Sequence, residues 1–187
     1  MDKISENKAV DKAQVVRPLT EIVERECVAQ LAYVVKPGGL IVEIGALYGG
    51  MTAVMGLANK KAKIITIDDF SWHPADDVPT SAALVLENMD RIGVKNVEVI
   101  EGDSRVIGKS WDKAIELLFV DGGHSFDYVY PDLSNFAPHA QVIAAHDYAN
   151  PFWVTVREAV DRFLAEHPEW YLAEVVESLA VLRRRTR

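Results

Sequence analysis

Two segments of the chain carry acid and imidazole side chains at a spacing that can do chemistry. One is Phe119-Val120-Asp121-Gly122-Gly123-His124-Ser125-Phe126-Asp127, and the other is Ala145-His146-Asp147-Tyr148. In each, the polar residues follow directly on an apolar run that reads as a strand. If the two strands are neighbours, about 5 Å apart, Asp121 and Asp147 can share one divalent ion. His146 can add an imidazole ligand, and such a set suits Mn²⁺, Fe²⁺ or Zn²⁺ better than Mg²⁺ when the ring binds directly. His124, on a loop hinged by two glycines, is placed to act as a general base. The competing readings are a His146 that packs at a strand end without metal and a His124 that is merely solvated.

Acids end the other apolar runs as well. The stretch Val42-Glu43-Ile44-Gly45-Ala46-Leu47-Tyr48-Gly49-Gly50 joins the run Leu40-Ile41-Val42 to a helix-like segment from Met51 to Ala58. A strand, a glycine turn and a helix in this order let a ligand lie against bare backbone at a helix N-terminus. A dinucleotide fingerprint would need a glycine where Leu47 stands, so a pyrophosphate fits poorly. Glu43, two residues before the first glycine, is placed to receive a cationic amine. Asp68 and Asp69 close the next apolar run, where a carboxylate can accept both hydroxyls of a ribose. Strand alternation points the two side chains apart, and Asp68 is favoured. In Glu101-Gly102-Asp103-Ser104, Asp103 is placed to accept an adenine amino group, with Gly102 letting the base lie close. The alternative is that Asp103 caps the helix that follows.

These residues need a scaffold that ends five strands on one rim. Period-2 and period-3.6 patterns give helix 19–35, stopped by Pro37-Gly38-Gly39, strand 40–44, helix 50–59 and strand 63–67. A loop 68–79 follows, whose Phe70, Trp72 and His73 could wall an acceptor pocket. Next come helix 81–92, strand 97–100, a short helix 105–111, strand 115–120, helix 126–136 and strand 141–145. Pro151 opens a helix over 152–166, and 171–176 with 178–182 form a closing antiparallel hairpin. Strands alternating with helices make an α/β, Rossmann-like doubly wound sheet of seven strands, mostly parallel. Residues 1–17 are polar and read as a flexible arm, and 18–187 as one domain. With 28 acids against 20 bases the net charge is −8, which disfavours nucleic acid as the main partner. Arg183-Arg184-Arg185 with Arg187 reads as a solvated end. Cys27 is the sole cysteine, so no intramolecular disulfide forms, and no apolar run is long enough to span a membrane. A cytoplasmic protein is expected.

Together, Val42-Glu43-Ile44-Gly45 with Gly49-Gly50, Ile67-Asp68, Gly102-Asp103-Ser104, Asp121-Gly122-Gly123-His124-Ser125-Phe126 and His146-Asp147-Tyr148 make the chain resemble the class I S-adenosylmethionine (SAM) methyltransferases. Within them it is most similar to the antibiotic-sugar O-methyltransferase and cephalosporin hydroxylase-like group. The resemblance covers about residues 20 to 185, and implies that fold, a SAM cofactor and methylation of a small-molecule hydroxyl. It puts the cofactor against Glu43, Gly45, Ala46, Tyr48, Gly49, Asp68, Asp69, Gly102, Asp103 and Ser104, with Asp121 and His124 reaching it from the next strand. It implies catalysis by His124 and Asp121, and a divalent cation, Mg²⁺ or Mn²⁺, at Asp121, His146 and Asp147. Related catechol-type enzymes carry a lysine base at the place of His124. The chain departs from the pattern at Ala137-Pro138-His139-Ala140, where the family often has Lys-Pro-Gly-Gly, and in having His-Asp where an acid pair or Asp-Asn is usual. A homodimer is expected, since no separate substrate domain exists. Two rival readings are another SAM-fold chemistry, such as aminopropyl transfer, and a non-catalytic SAM-binding module.

Overall fold

Seven strands form in the computed structural model, which describes residues 3–17, 19–74 and 78–185. They are β1 (Leu40–Ile44), β2 (Lys63–Asp68), β3 (Val97–Glu101), β4 (Ile115–Val120), β5 (Ala140–Ala145), β6 (Trp170–Val176) and β7 (Leu179–Arg184). Their order in one sheet is β3-β2-β1-β4-β5-β7-β6. Neighbours from β3 to β5 pair in parallel, and β7 runs antiparallel to both β5 and β6. The expected mostly parallel α/β sheet with a closing antiparallel hairpin is therefore the observed one.

Helices cover both faces. On one side lie α1 (Lys3–Ala13), α2 (Ile22–Tyr33), α3 (Gly50–Ala58) and α4 (Ala82–Ile92), packed with Ile41, Ile64, Leu117 and Phe119. On the other lie α6 (Phe126–Phe136) and α7 (Val154–Glu166), packed with Val42, Ile65, Leu118 and Val120. A short α5 (Ser104–Ile107) follows β3. The alternation along β4 explains why Leu117, Leu118, Phe119 and Val120 are all buried: a central parallel strand is covered on both faces. Each such side chain contributes about 1.5–3 kcal/mol of burial.

Residues 3–13 differ from the flexible arm expected of them: they are helical, and α1 packs on α2 and α3. The reason is a small apolar stripe. Ala9, Val10 and Ala13, then Val16, enter the core, although the segment is polar on average. The arginine end is also not simply solvated. Arg184 donates to the carbonyls of Ala137 and Pro138 and lies over Trp170, and Arg185 donates to Pro168 and lies over Tyr171. Arg187 lies outside the described residues. Helix α7 starts at Val154 rather than 152, because Asn150 holds a turn, accepting from the Phe152 N–H through its side chain and from the Trp153 N–H through its carbonyl.

Val10 is 2 % exposed. Val10→Asp should cost about 3 kcal/mol by burying an unpaired carboxylate, lowering the thermal midpoint by roughly 6–12 °C in scanning calorimetry. An unchanged midpoint would show that α1 does not hold the core.

Candidate active site

Parallel register gathers the strand ends. Ile44 pairs with Ile67 and Val120, Val120 with Ala145, and Asp68 with Glu101. The next residues along the chain therefore line one rim in the order Gly102, Asp69 with Asp68, Gly45, Asp121, His146. The rim has two halves: β1, β2 and β3 on one side, β4 and β5 on the other.

In the first half, the glycine turn passes hard against β4. A Cβ on Gly45 would sit 2.0 Å from the Asp121 carbonyl oxygen, and its φ of +93° is itself closed to most side chains. So Gly45 is glycine because the backbone crosses there. Leu47 also has positive φ, +50°. The turn is held by Asp68, whose Oδ2 accepts from the N–H groups of Ala46 and Leu47, both at 2.8 Å, while Oδ1 accepts from Phe70 N–H at 2.8 Å. A carboxylate has about four acceptor positions. Three are filled by backbone, which leaves one for a ribose hydroxyl. Asp69 is exposed and accepts from Ser71.

Three expected ligand contacts are turned elsewhere. Glu43 is 0 % exposed and accepts from the Thr52 hydroxyl of α3, because strand alternation aims it under that helix, so it does not meet an amine directly. Burial raises its pKa to about 8, against the hydrogen bond from Thr52 and with help from Asp121 and Asp68. Tyr48 is buried, its hydroxyl donating to the carbonyl of Val78. Asp103 caps α5 through the Arg105 N–H and forms a two-pronged pair with the Arg105 guanidinium at 2.9 and 2.7 Å. This pairing, against a small burial cost, lowers its pKa. The capping alternative describes the carboxylate as it stands. Ser104 donates to Asp132, an acid on α6 that is 1 % exposed and whose pKa burial raises to about 7.

In the second half, four side chains converge. His124 Nε2 lies 2.9 Å from Asp147 Oδ2 and its side chain is 34 % exposed, so His124 is half-buried and paired, and with its proton on Nε2 it is Nδ1 that is left as acceptor. Its ring stacks on Trp153, centroids 4.5 Å apart, and its carbonyl accepts from Thr155. Asp147 sits at φ +60° and takes a second hydrogen bond from Asn150. Against the cost of burial, the bonds from His124 and Asn150 and the charge of the adjacent His146 ring hold it well below the usual carboxylate range. His146 Nδ1 lies 3.1 Å from Asp121 Oδ1 and 3.2 Å from Asp147 Oδ2. It is buried and makes no well-directed hydrogen bond to either.

That orphaned nitrogen tests the expected metal set. Glu24, on α2, accepts the Nε2–H of His146 at 3.1 Å. With Nε2 protonated, Nδ1 presents either a lone pair or a second proton to two carboxylate oxygens, and only a cation belongs between them. Burial lowers the His146 pKa, but Asp121, Asp147 and Glu24 raise it to about 12, so a divalent ion would replace a tightly held proton there. Asp121, His146 and Asp147 thus fit such an ion by donor type and by convergence. His124, Asp121 and Asp147 form an overlapping group, with one ligand atom from each within 4.8 Å of the others.

Four residues of this region escape a reading by strand ends. Trp153 stacks on His124 and the 86 % exposed Phe152 precedes it in the chain, whereas the loop carrying Phe70 and Trp72 follows β2, two strands away from β4. The aromatic pair directly after Pro151 was their only signal. Glu24 and Asp132 lie on the buried stripes of α2 and α6, next to Val28 and Ala32 and to Val129, Leu133 and Phe136. An acid on an apolar stripe was the available clue.

A family model described as a methyltransferase domain matches residues 42–148, from the end of β1 to the turn after β5. The chain belongs to that methyltransferase family. It is a SAM-dependent methyltransferase, with the class I fold that the strand order already indicated. No curated protein sequence matches the chain. Among solved structures, the SAH-bound methyltransferase PaMTH1 of Podospora anserina superposes with TM-score 0.68 at 18% identity, covering 97% of this chain and 88% of that one. The O-methyltransferase TomG of Streptomyces achromogenes, involved in tomaymycin synthesis and in complex with SAM, gives 0.65 at 15%, covering 100% and 92%. An rRNA methylase from Streptococcus thermophilus gives 0.62 at 12%, covering 90% and 99%. Likeness at these identities shows a shared fold.

Between pH 4.5, the ordinary carboxyl value, and about 8, native Glu43 holds a proton that the unfolded chain has lost. Stability from this group therefore falls as pH rises through that window, and is level above it. Glu43→Gln mimics the protonated acid. Its thermal midpoint should exceed that of the parent at pH 8 and match it at pH 4.5. A difference that does not grow with pH would contradict the assignment.

Proposed function

We propose that the protein transfers the sulfonium methyl of SAM to a hydroxyl group of a small molecule. The observation that carries this reading is the His124–Asp147 pair beside Asp121, set next to the turn that the cofactor would occupy. SAM brings an already activated methyl, so the protein has to orient the acceptor and take its proton. Asp147 holds the His124 ring with Nε2–H bound, and Nδ1 takes the acceptor proton. The acceptor oxygen then forms a bond to the methyl carbon as the carbon–sulfur bond breaks, its electron pair returning to sulfur to give S-adenosylhomocysteine (SAH).

Asp68 and the backbone of the Gly45–Gly49 turn support a ribose and the methionine end of the cofactor. Asp103 supports the adenine end only if its pairing with Arg105 yields to the base. Asp121, His146 and Asp147 would hold a divalent ion, and when bound that ion would polarise the acceptor hydroxyl and lower its pKa. The surface beside His124 is aromatic through Trp153, which suits a small organic acceptor. The charge of −8 argues against a polyanionic one.

His124→Ala should lower turnover by about 10²- to 10⁴-fold, the usual worth of a general base. The SAH dissociation constant of the variant should be unchanged. Methyl transfer to phenolic and sugar hydroxyls, followed by SAH release, gives the readout. Unimpaired turnover in the variant would remove His124 from the mechanism, and methyl transfer to amines alone would overturn the hydroxyl assignment.

A further inference from the structure

The Glu24 carboxylate is 2 % exposed and fully engaged. Oε1 accepts from the Ser178 N–H at 2.9 Å and the Ser178 hydroxyl at 2.7 Å, and Oε2 accepts from the Glu21 N–H at 3.0 Å and from His146 Nε2–H at 3.1 Å. Four hydrogen bonds fill its acceptor positions. None of this serves the helix alone. A capping interaction at Glu21 explains one of the four bonds, and the remaining three reach residues more than 100 positions away in the chain.

Ser178 arrives because of topology. β7 is antiparallel to β5, and Ala145 pairs with Ala180, so the β6–β7 turn ends on the active-site rim rather than on the opposite edge. The Ala149 N–H donates to the Ser178 carbonyl and ties that turn to the loop after His146. Both Glu24 and Ser178 lie outside residues 42–148, the part of the chain that matches the family model.

We propose that Glu24 is a positioning residue for a divalent cation at Asp121, His146 and Asp147: by accepting the Nε2–H it locks His146 in the tautomer whose Nδ1 lone pair faces the two aspartates. A carboxylate behind a ligating imidazole fixes the ring plane and makes the ligating nitrogen more basic, and its loss typically weakens metal binding 10- to 100-fold. Here the carboxylate comes from α2 and is itself held by the terminal hairpin, so two segments beyond the matched core support the ion. The proposal rests on the reading that these three residues bind an ion.

The test is titration of the full chain with Mn²⁺ in the presence of SAH, followed by the loss of the free-ion paramagnetic signal. Glu24→Gln should bind Mn²⁺ roughly 10- to 100-fold more weakly than the parent, with SAH affinity unchanged in the absence of metal. Equal Mn²⁺ affinity in the two proteins would overturn the role of Glu24 while leaving the ion in place. No Mn²⁺ binding by the parent would overturn the ion itself, and the proposal with it. A second measurement needs no variant. In nitrogen-15 spectra of the parent titrated with Zn²⁺, the His146 Nε2 should keep its proton and Nδ1 should shift on ligation. Ligation through Nε2 would contradict the proposal.

Discussion

Parallel strands that end together force their terminal acids onto one rim, and the site depends on how that negative charge is compensated. Carboxylates a few ångströms apart repel strongly where water is excluded. The compensation here differs at every position. Asp68 takes three backbone N–H groups. Glu43 is driven toward its neutral form by burial. Asp103 takes a guanidinium. Asp121 and Asp147 face the His146 ring, which Glu24 holds from behind. The arrangement sorts the rim into a half whose acids are occupied by structure and a half whose acids face the His146 ring.

That sorting assigns different jobs to residues that look alike in the sequence. Asp68 shapes the turn and keeps one acceptor position unfilled by backbone. Glu43 faces the α3 layer of the core. Asp147 orients His124 and faces His146 at once, from a backbone conformation that few residues adopt. Strain of that kind commonly marks positions where function fixes the geometry.

The sequence made the sheet legible because strands buried on one or both faces leave strong periodic signals. β1 and β4 fall where the apolar runs lie, and the Pro37-Gly38-Gly39 and Gly93 stops fall where helices end. It made the rim legible for the same reason, since every candidate residue follows such a run. What it hid depends on tertiary contact. Helix α1 is polar on average, and among its described side chains Ala9, Val10 and Ala13 form the buried side. A cap at α5 and a ligand role for Asp103 both fit the sequence, and pairing with Arg105 two residues on holds the carboxylate as a cap. Glu24 and Ser178 are separated by 154 positions and meet through the antiparallel return of β7, a contact that no local pattern encodes. Neighbours at 12% to 18% identity share this scaffold, among them an enzyme of tomaymycin synthesis and an rRNA methylase. The scaffold alone therefore leaves the acceptor open.

We propose that Asp68 and the turn it holds form the ribose end of the cofactor site. Calorimetric titration of SAH into the parent protein and into Asp68→Ala tests it most directly. The account predicts stoichiometric binding to the parent and at least about tenfold weaker binding to the variant, a loss of about 1.4 kcal/mol or more. Equal affinity in the two proteins, or no binding to the parent, would contradict it.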